Sequence, residues 1–125
     1  MSEDLRLWAV RGATKVGRND PGLIVEATEE LMRELIGRND LTPERMVSCI
    51  FTSTADLNAE FPAVAARNLG LDMVPLLCAR EIDVPNAMRS VIRVLLHYYA
   101  PPDHTPAHAY LGEAQDLRSD LKAAQ

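Results

Sequence analysis

Cysteine is scarce in this sequence. Cys49 and Cys78 are the pair, with no C-x-x-C spacing. A disulfide framework is therefore not expected, and two cysteines cannot build a cysteine-type zinc site. Histidine is also thin. His97 stands alone, and Pro106 separates His104 from His108, so a helical histidine pair is not expected and no metal site is read. The six glycines form neither a G-x-G-x-x-G nor a Walker pattern, which removes support for nucleotide binding by those modes. No apolar run reaches the roughly 20 residues that span a bilayer. The N-terminus carries acids where a signal peptide carries bases, so a cytoplasmic protein without membrane contact is expected. Aromatics make up 5%, and a core must rest on Leu, Val, Ile and Ala. Lysine is nearly missing: Lys15 and Lys122 stand against eleven arginines.

What is present fits one soluble domain spanning 1–125. The 47% hydrophobic and 25% charged content over 125 residues is that of an ordinary globular chain. A net charge of −5 argues against general nucleic-acid binding, which needs a basic footprint. Arginine in an acidic protein suits an anion site, because its rigid fork matches carboxylates and phosphates. An arginine-rich codon usage explains the same composition without a site.

Residues 5–16 alternate loosely and predict a strand, with Leu7, Ala9 and Arg11 on its more apolar face. Asp20-Pro21 opens a helix whose stripe runs through Ile24, Ala27, Leu31 and Leu35, with Gly37 as its stop. Thr42-Pro43 predicts a single turn through Met46, and Val47–Thr54 a buried strand. A short helix is predicted over 62–69. A strand follows over Met73–Cys78, at an edge because of Pro75. Asp83 to Pro85 predicts a third helix, striped by Met88, Val91, Ile92, Leu95 and Leu96, with Arg89 and Arg93 sharing a face. Residues 101–106 are irregular, a brief strand covers about 107–112, and the polar end from about 117 is expected to be a mobile tail. The class is mixed α/β.

Charge inside apolar surroundings carries the chemistry. Arg11 follows an apolar strand, Glu81 follows MVPLLC, and Arg93 interrupts an apolar run. A single arginine of this kind is ordinarily a snorkelling surface residue. Several arginines beside one glutamate and Tyr110 instead suit a small dianion, since a buried cation requires an anion. No nucleophile–base pair accompanies them, and Cys78 reads by default as a structural thiol.

Here the motifs carry a resemblance. V-R-G-A-T at 10–14, T-A-D-L-N-A-E-F-P-A at 54–63, A-A-R at 65–67, V-P-L-L-C-A-R-E-I-D-V at 74–84, I-R-V at 92–94, A-Y-L at 109–111 and D-L-R-S-D-L at 116–121 follow one another in register. Together, from about residue 7 to about 121, they resemble the monofunctional bacterial chorismate mutases of the trimeric, mixed α/β type.

The resemblance implies a mixed sheet with helices on one side and a homotrimeric pseudo-barrel with sites between subunits. It implies the rearrangement of chorismate to prephenate in phenylalanine and tyrosine biosynthesis, with no cofactor and no metal. Arg93 then faces the breaking ether oxygen. Arg11 and Tyr110 hold the side-chain carboxylate. Glu81 accepts from the ring hydroxyl beside Cys78. Phe61, Ala63, Arg67 and Leu76 line the neighbour's wall, and Leu117 and Arg118 form a C-terminal cover. Two wall positions depart from the pattern: Val64 stands where a lysine is frequent, and Leu77 where a threonine is. The alternatives are a non-catalytic trimeric binding domain for small enol or aromatic carboxylates, and another small trimeric enzyme such as an enamine/imine deaminase.

Overall fold

The computed structural model describes residues 4–117. Strand β1 (Arg6–Lys15) leads to helix α1 (Pro21–Arg38), then β2 (Met46–Ser53), the short α2 (Ala63–Asn68), β3 (Leu76–Arg80), β4 (Val91–Ala100) and β5 (Ala109–Tyr110). The strands form one sheet in the order β3-β2-β4-β1-β5. β4 runs antiparallel to both neighbours, while β2–β3 and β1–β5 are parallel, so the sheet is mixed.

Helix α1 begins as its sequence dictates. Asp20 Oδ2 accepts from Leu23 N at 3.0 Å, and Pro21 follows. It does not stop at Gly37. The helix passes through Gly37 to Arg38, and Asn39 ends it by donating through Nδ2 to Leu35 O at 2.9 Å, while Asp40 takes the left-handed turn at φ 50°. The buried Asn39 also exchanges two hydrogen bonds with Ala107, at 2.8 and 2.9 Å, and so fastens the approach to β5.

Both helices cover the same sheet face. Leu31, Met32 and Leu35 of α1 and Ala63 and Ala66 of α2 pack on Val10, Phe51, Val94, Leu96 and Tyr98. The buried face of β1 is thus the even one. Leu7 and Ala9, on the more apolar face by sequence, are exposed, and with Arg11 they lie on the face opposite α1 and α2.

The predicted third helix is absent. Residues 81–90 are an irregular loop, and 91–100 is the central strand β4. Arg89 and Arg93 therefore share no helix face. A run such as Val91-Ile92-Arg93-Val94-Leu95-Leu96 satisfies a helical stripe, but its β-branched residues and burial suit a strand with partners on both sides. β3 starts later than predicted. Pro75 lies just outside it, donating nothing but offering its carbonyl to Cys49 N at 2.9 Å, and the edge position is as expected.

Gly12 explains part of V-R-G-A-T. A Cβ there would lie 2.6 Å from the Ala109 carbonyl oxygen and 3.0 Å from Leu31 Cδ1. The nearer atom is backbone, so relief requires β5 to move. Gly12→Ala should destabilise the fold by about 1–3 kcal/mol, the ordinary cost of overpacking. Urea denaturation checks this, and an unchanged midpoint would show that β5 yields freely.

Candidate active site

Strand register builds the site. On the face opposite α1 and α2, Tyr110 of β5 pairs with Ala13 of β1, Ala13 with Arg93 of β4, Arg93 with Thr52 of β2, and Thr52 with Ala79 of β3. The next row on that face runs Arg11, Leu95, Ile50, Leu77. Ala13 is the small residue between two large ones, and it leaves room for Tyr110 and Arg93 to share a hollow. The cavity here has a volume of about 290 Å³ and holds Arg11, Arg93, Tyr110 and Thr52 against Ile50 and Leu95.

Glu81 completes the group from the first residue after β3. Its Oε2 lies 3.0 Å from Arg93 Nε and accepts from Thr52 Oγ1 at 2.8 Å. The Glu81 side chain is 16% exposed and that of Arg93 38%. Arg93 Nε itself is shielded from water, and its contact with Glu81 is an ion pair without the angle of a directional hydrogen bond. A charged donor in this state is available to any acceptor placed on it in better geometry. Beyond Glu81 lies a polar hollow of about 310 Å³, formed by residues 54–56 and the loop that follows Glu81.

Segment 107–111 presents Tyr110. Arg11 N donates to His108 Nδ1 at 3.1 Å, and Leu111 N donates to Ala13 O at 2.9 Å. Leu117 is buried against Ala13, Val91 and Ala114, and Tyr110 packs on the same cluster. Leu117, expected to begin a mobile cover, is thus part of the support beneath Tyr110. Arg118 lies outside the described residues.

The other expected wall residues sit elsewhere in the chain. Phe61 is exposed and lines a cavity of about 330 Å³ with Cys78, Arg80 and the turn 57–62. Cys78 pairs with Phe51, on the helix-covered face, so its side chain is not brought beside Arg93 and Tyr110. Leu76 also packs on the core, Ala63 is buried in it, and Arg67 is exposed on α2. Cys49 is a core residue as well. Burial and the nearby Cys78 push its thiol up to about 12, far from a thiolate nucleophile. Thr52 was not predicted. Its place opposite Arg93 follows only once β4 is a strand next to β2.

Among the described residues no group of three or more His, Cys, Asp or Glu side chains is arranged to hold a metal ion, and no helix is long and apolar enough to cross a membrane.

Residues 7–121 match the family model described as chorismate mutase type I. The chain is 43% identical over 118 residues to chorismate mutase AroH of Thermus thermophilus, covering 93% of this chain and 97% of that protein. It is 37% identical over 119 residues to chorismate mutase AroH of Bacillus subtilis, covering 94% of each. A solved structure, a chorismate mutase from Clostridium thermocellum, superposes with a TM-score of 0.83 at 42% identity, covering 87% of this chain and 98% of that one.

Proposed function

The chain belongs to the type I chorismate mutases, and from that premise we propose how its residues divide the work. The activity is the Claisen rearrangement of chorismate to prephenate, in aromatic amino-acid biosynthesis. One C–O bond breaks as one C–C bond forms, within a single molecule. No proton is transferred and no covalent intermediate arises. The protein's task is to select a folded conformer and to stabilise the charge that develops.

The observation that carries the assignment is the convergence of Arg11, Arg93 and Tyr110 in one hollow, with Glu81 tied to Arg93 at 3.0 Å. Arg93 faces the ether oxygen, which gains negative charge as its bond to the ring breaks. A fixed cation there favours the transition state over the ground state. Arg11 and Tyr110 hold the side-chain carboxylate over the ring. Glu81 orients Arg93 and accepts from the ring hydroxyl when substrate binds. The direct test is the loss of chorismate absorbance on adding purified protein, with prephenate as the product. Chorismate that binds but persists would leave a binding domain.

The working form in this proposal is a homotrimer with a site in each cleft between neighbours. Two features support it. The sheet face opposite α1 and α2 exposes Leu7, Leu77 and Tyr99, an apolar surface that suits burial against a second copy. Phe61 and Cys78 also line a different cavity from Arg11, Arg93 and Tyr110, so one chain holds the parts in two places. A neighbour's Phe61 and Arg67 then close the cleft. Val64 stands on α2 beside Arg67, and the missing lysine there weakens attraction of the dianion, raising KM rather than lowering kcat. Leu77 lies instead in the row of Arg11, Leu95 and Ile50.

Because no proton moves, kcat should stay level between about pH 6 and pH 9. The guanidinium groups do not titrate in that range. Initial rates at constant ionic strength check this. A bell with a limb near neutrality would require an acid–base step and contradict the mechanism.

A further inference from the structure

The loop between the two members of the ion pair is fastened at both ends to one short segment. At its start Glu81 N donates to Ser53 O at 3.0 Å. At its end Thr54 N donates to Val91 O at 3.0 Å, and Val91 N donates to Thr54 Oγ1 at 3.1 Å. Asp56 then takes both donors of Ser90, the amide at 3.2 Å and the hydroxyl at 2.8 Å. The Ser90 carbonyl accepts from Val16 N at 2.8 Å. Inside the loop the backbone bonds are local, Val84 N to Ile82 O and Ala87 N to Val84 O, and most of its residues are exposed.

Ser90 has φ 58°, a left-handed conformation that a residue with a Cβ adopts only when its surroundings impose it. In that conformation Ser90 gives both its amide and its hydroxyl to Asp56. Burial acts to raise the Asp56 carboxyl, but hydrogen bonds from Thr54 and Ser90 outweigh that and hold it below its ordinary 3.8, so it is an ionised acceptor near neutrality. Arg93 is the third residue of β4, close to the end where a strand loosens first.

We infer that Asp56 is a positioning residue of the reaction: its grip on Ser90 sets the entry of β4, and through it the guanidinium of Arg93 against Glu81. Val91 and Ile92, both fully buried, hold the strand in the sheet. Asp56 adds the fine placement that a charged catalytic group requires, where a displacement of about 1 Å costs on the order of a hundredfold. The inference rests on Arg93 facing the breaking bond.

The test compares Asp56→Ala, Asp56→Asn and Ser90→Ala, alone and together with Arg93→Lys. Asp56→Ala should lower kcat by roughly tenfold to a hundredfold with KM nearly unchanged, the signature of an interaction used in the transition state. Asp56→Asn keeps one acceptor and should recover part of that loss. On the Arg93→Lys background, Asp56→Ala should cost less than about threefold, because the group it positions is already misplaced. Equal losses on both backgrounds, or a rise in KM alone, would show that Asp56 does not act through Arg93. If Asp56→Ala fails to fold, Asp56→Asn and Ser90→Ala each remove one bond and carry the same comparison. Full kcat in both overturns the inference. Reduced turnover in Arg93→Lys beside undiminished turnover in folded Asp56 variants overturns it alone. Undiminished turnover in Arg93→Ala overturns the reading beneath it as well.

Discussion

Arg93→Ala should lower kcat by about a thousandfold or more and leave the protein folded. The rearrangement offers few footholds for catalysis, since there is no proton to move and no bond to the protein to make. What remains is conformer selection and the charge on the ether oxygen. Removing one neutral oxyanion donor costs roughly 2.7–4 kcal/mol in other enzymes, and a cationic donor whose Nε is shielded from water should contribute at least as much. At 1.36 kcal/mol per tenfold, that is about two to three decades, and the charge carries it further. The fold should tolerate the change. Arg93 projects from the face opposite α1 and α2, its side chain is 38% exposed, and Glu81 keeps the Thr52 hydroxyl as a partner. Circular dichroism and the denaturation midpoint therefore stay near wild type. Arg93→Lys should restore little, since an ammonium on a different stem misses the position of the fork. A tenth of wild-type turnover in Arg93→Ala would mean that another group meets the oxygen.

Arg93 also shows how unevenly the molecule was legible from sequence. Its identity came through the I-R-V motif, while its surroundings were misread. Asp83 to Pro85 imitates a helix start, and the apolar residues from Met88 to Leu96 fit a helical stripe. Locally, only the β-branched Val91, Ile92 and Val94 speak for a central strand between β1 and β2. With β4 read as a helix, the row Tyr110, Ala13, Arg93, Thr52 could not be assembled, so Thr52 was missed. α1 was plain because its cap, proline and stripe agree, and β1 because its period is two. Even there the more apolar face of β1 is not the buried one: Leu7 and Ala9 are apolar yet exposed. Phe61 and Arg67, expected on a neighbour's wall, are exposed in the single chain and lie apart from Arg11, Arg93 and Tyr110.

That separation can be tested by complementation. If each cleft takes Arg93 from one subunit and Arg67 from its neighbour, two differently damaged subunits can together form an intact site. Arg93→Ala spoils the catalytic face. Arg67→Glu spoils the facing wall by repelling the substrate's carboxylates, and Arg67 is exposed on α2, so the fold should survive. Each homotrimer alone should be weak at low substrate. In a closed ring with head-to-tail contacts, every interface joins one face to the other. Random assembly from equal amounts gives a cleft two sound faces with probability one half times one half, so roughly a quarter of clefts should regain wild-type turnover. Against an Arg93→Ala background near a thousandth, that is a rise of a few hundredfold. Co-expression with two different tags avoids slow exchange between preformed trimers, and sequential affinity capture isolates the mixed species. Mixed trimers with no more activity than their parents would place Arg67 and Arg93 in one subunit's own pocket, and the shared cleft would have to be abandoned, whatever the assembly state. Recovery confined to mixed trimers would make the sheet face opposite α1 and α2 and the two separated cavities parts of one site, because those trimers alone set an intact Arg93 against a neighbour's intact Arg67.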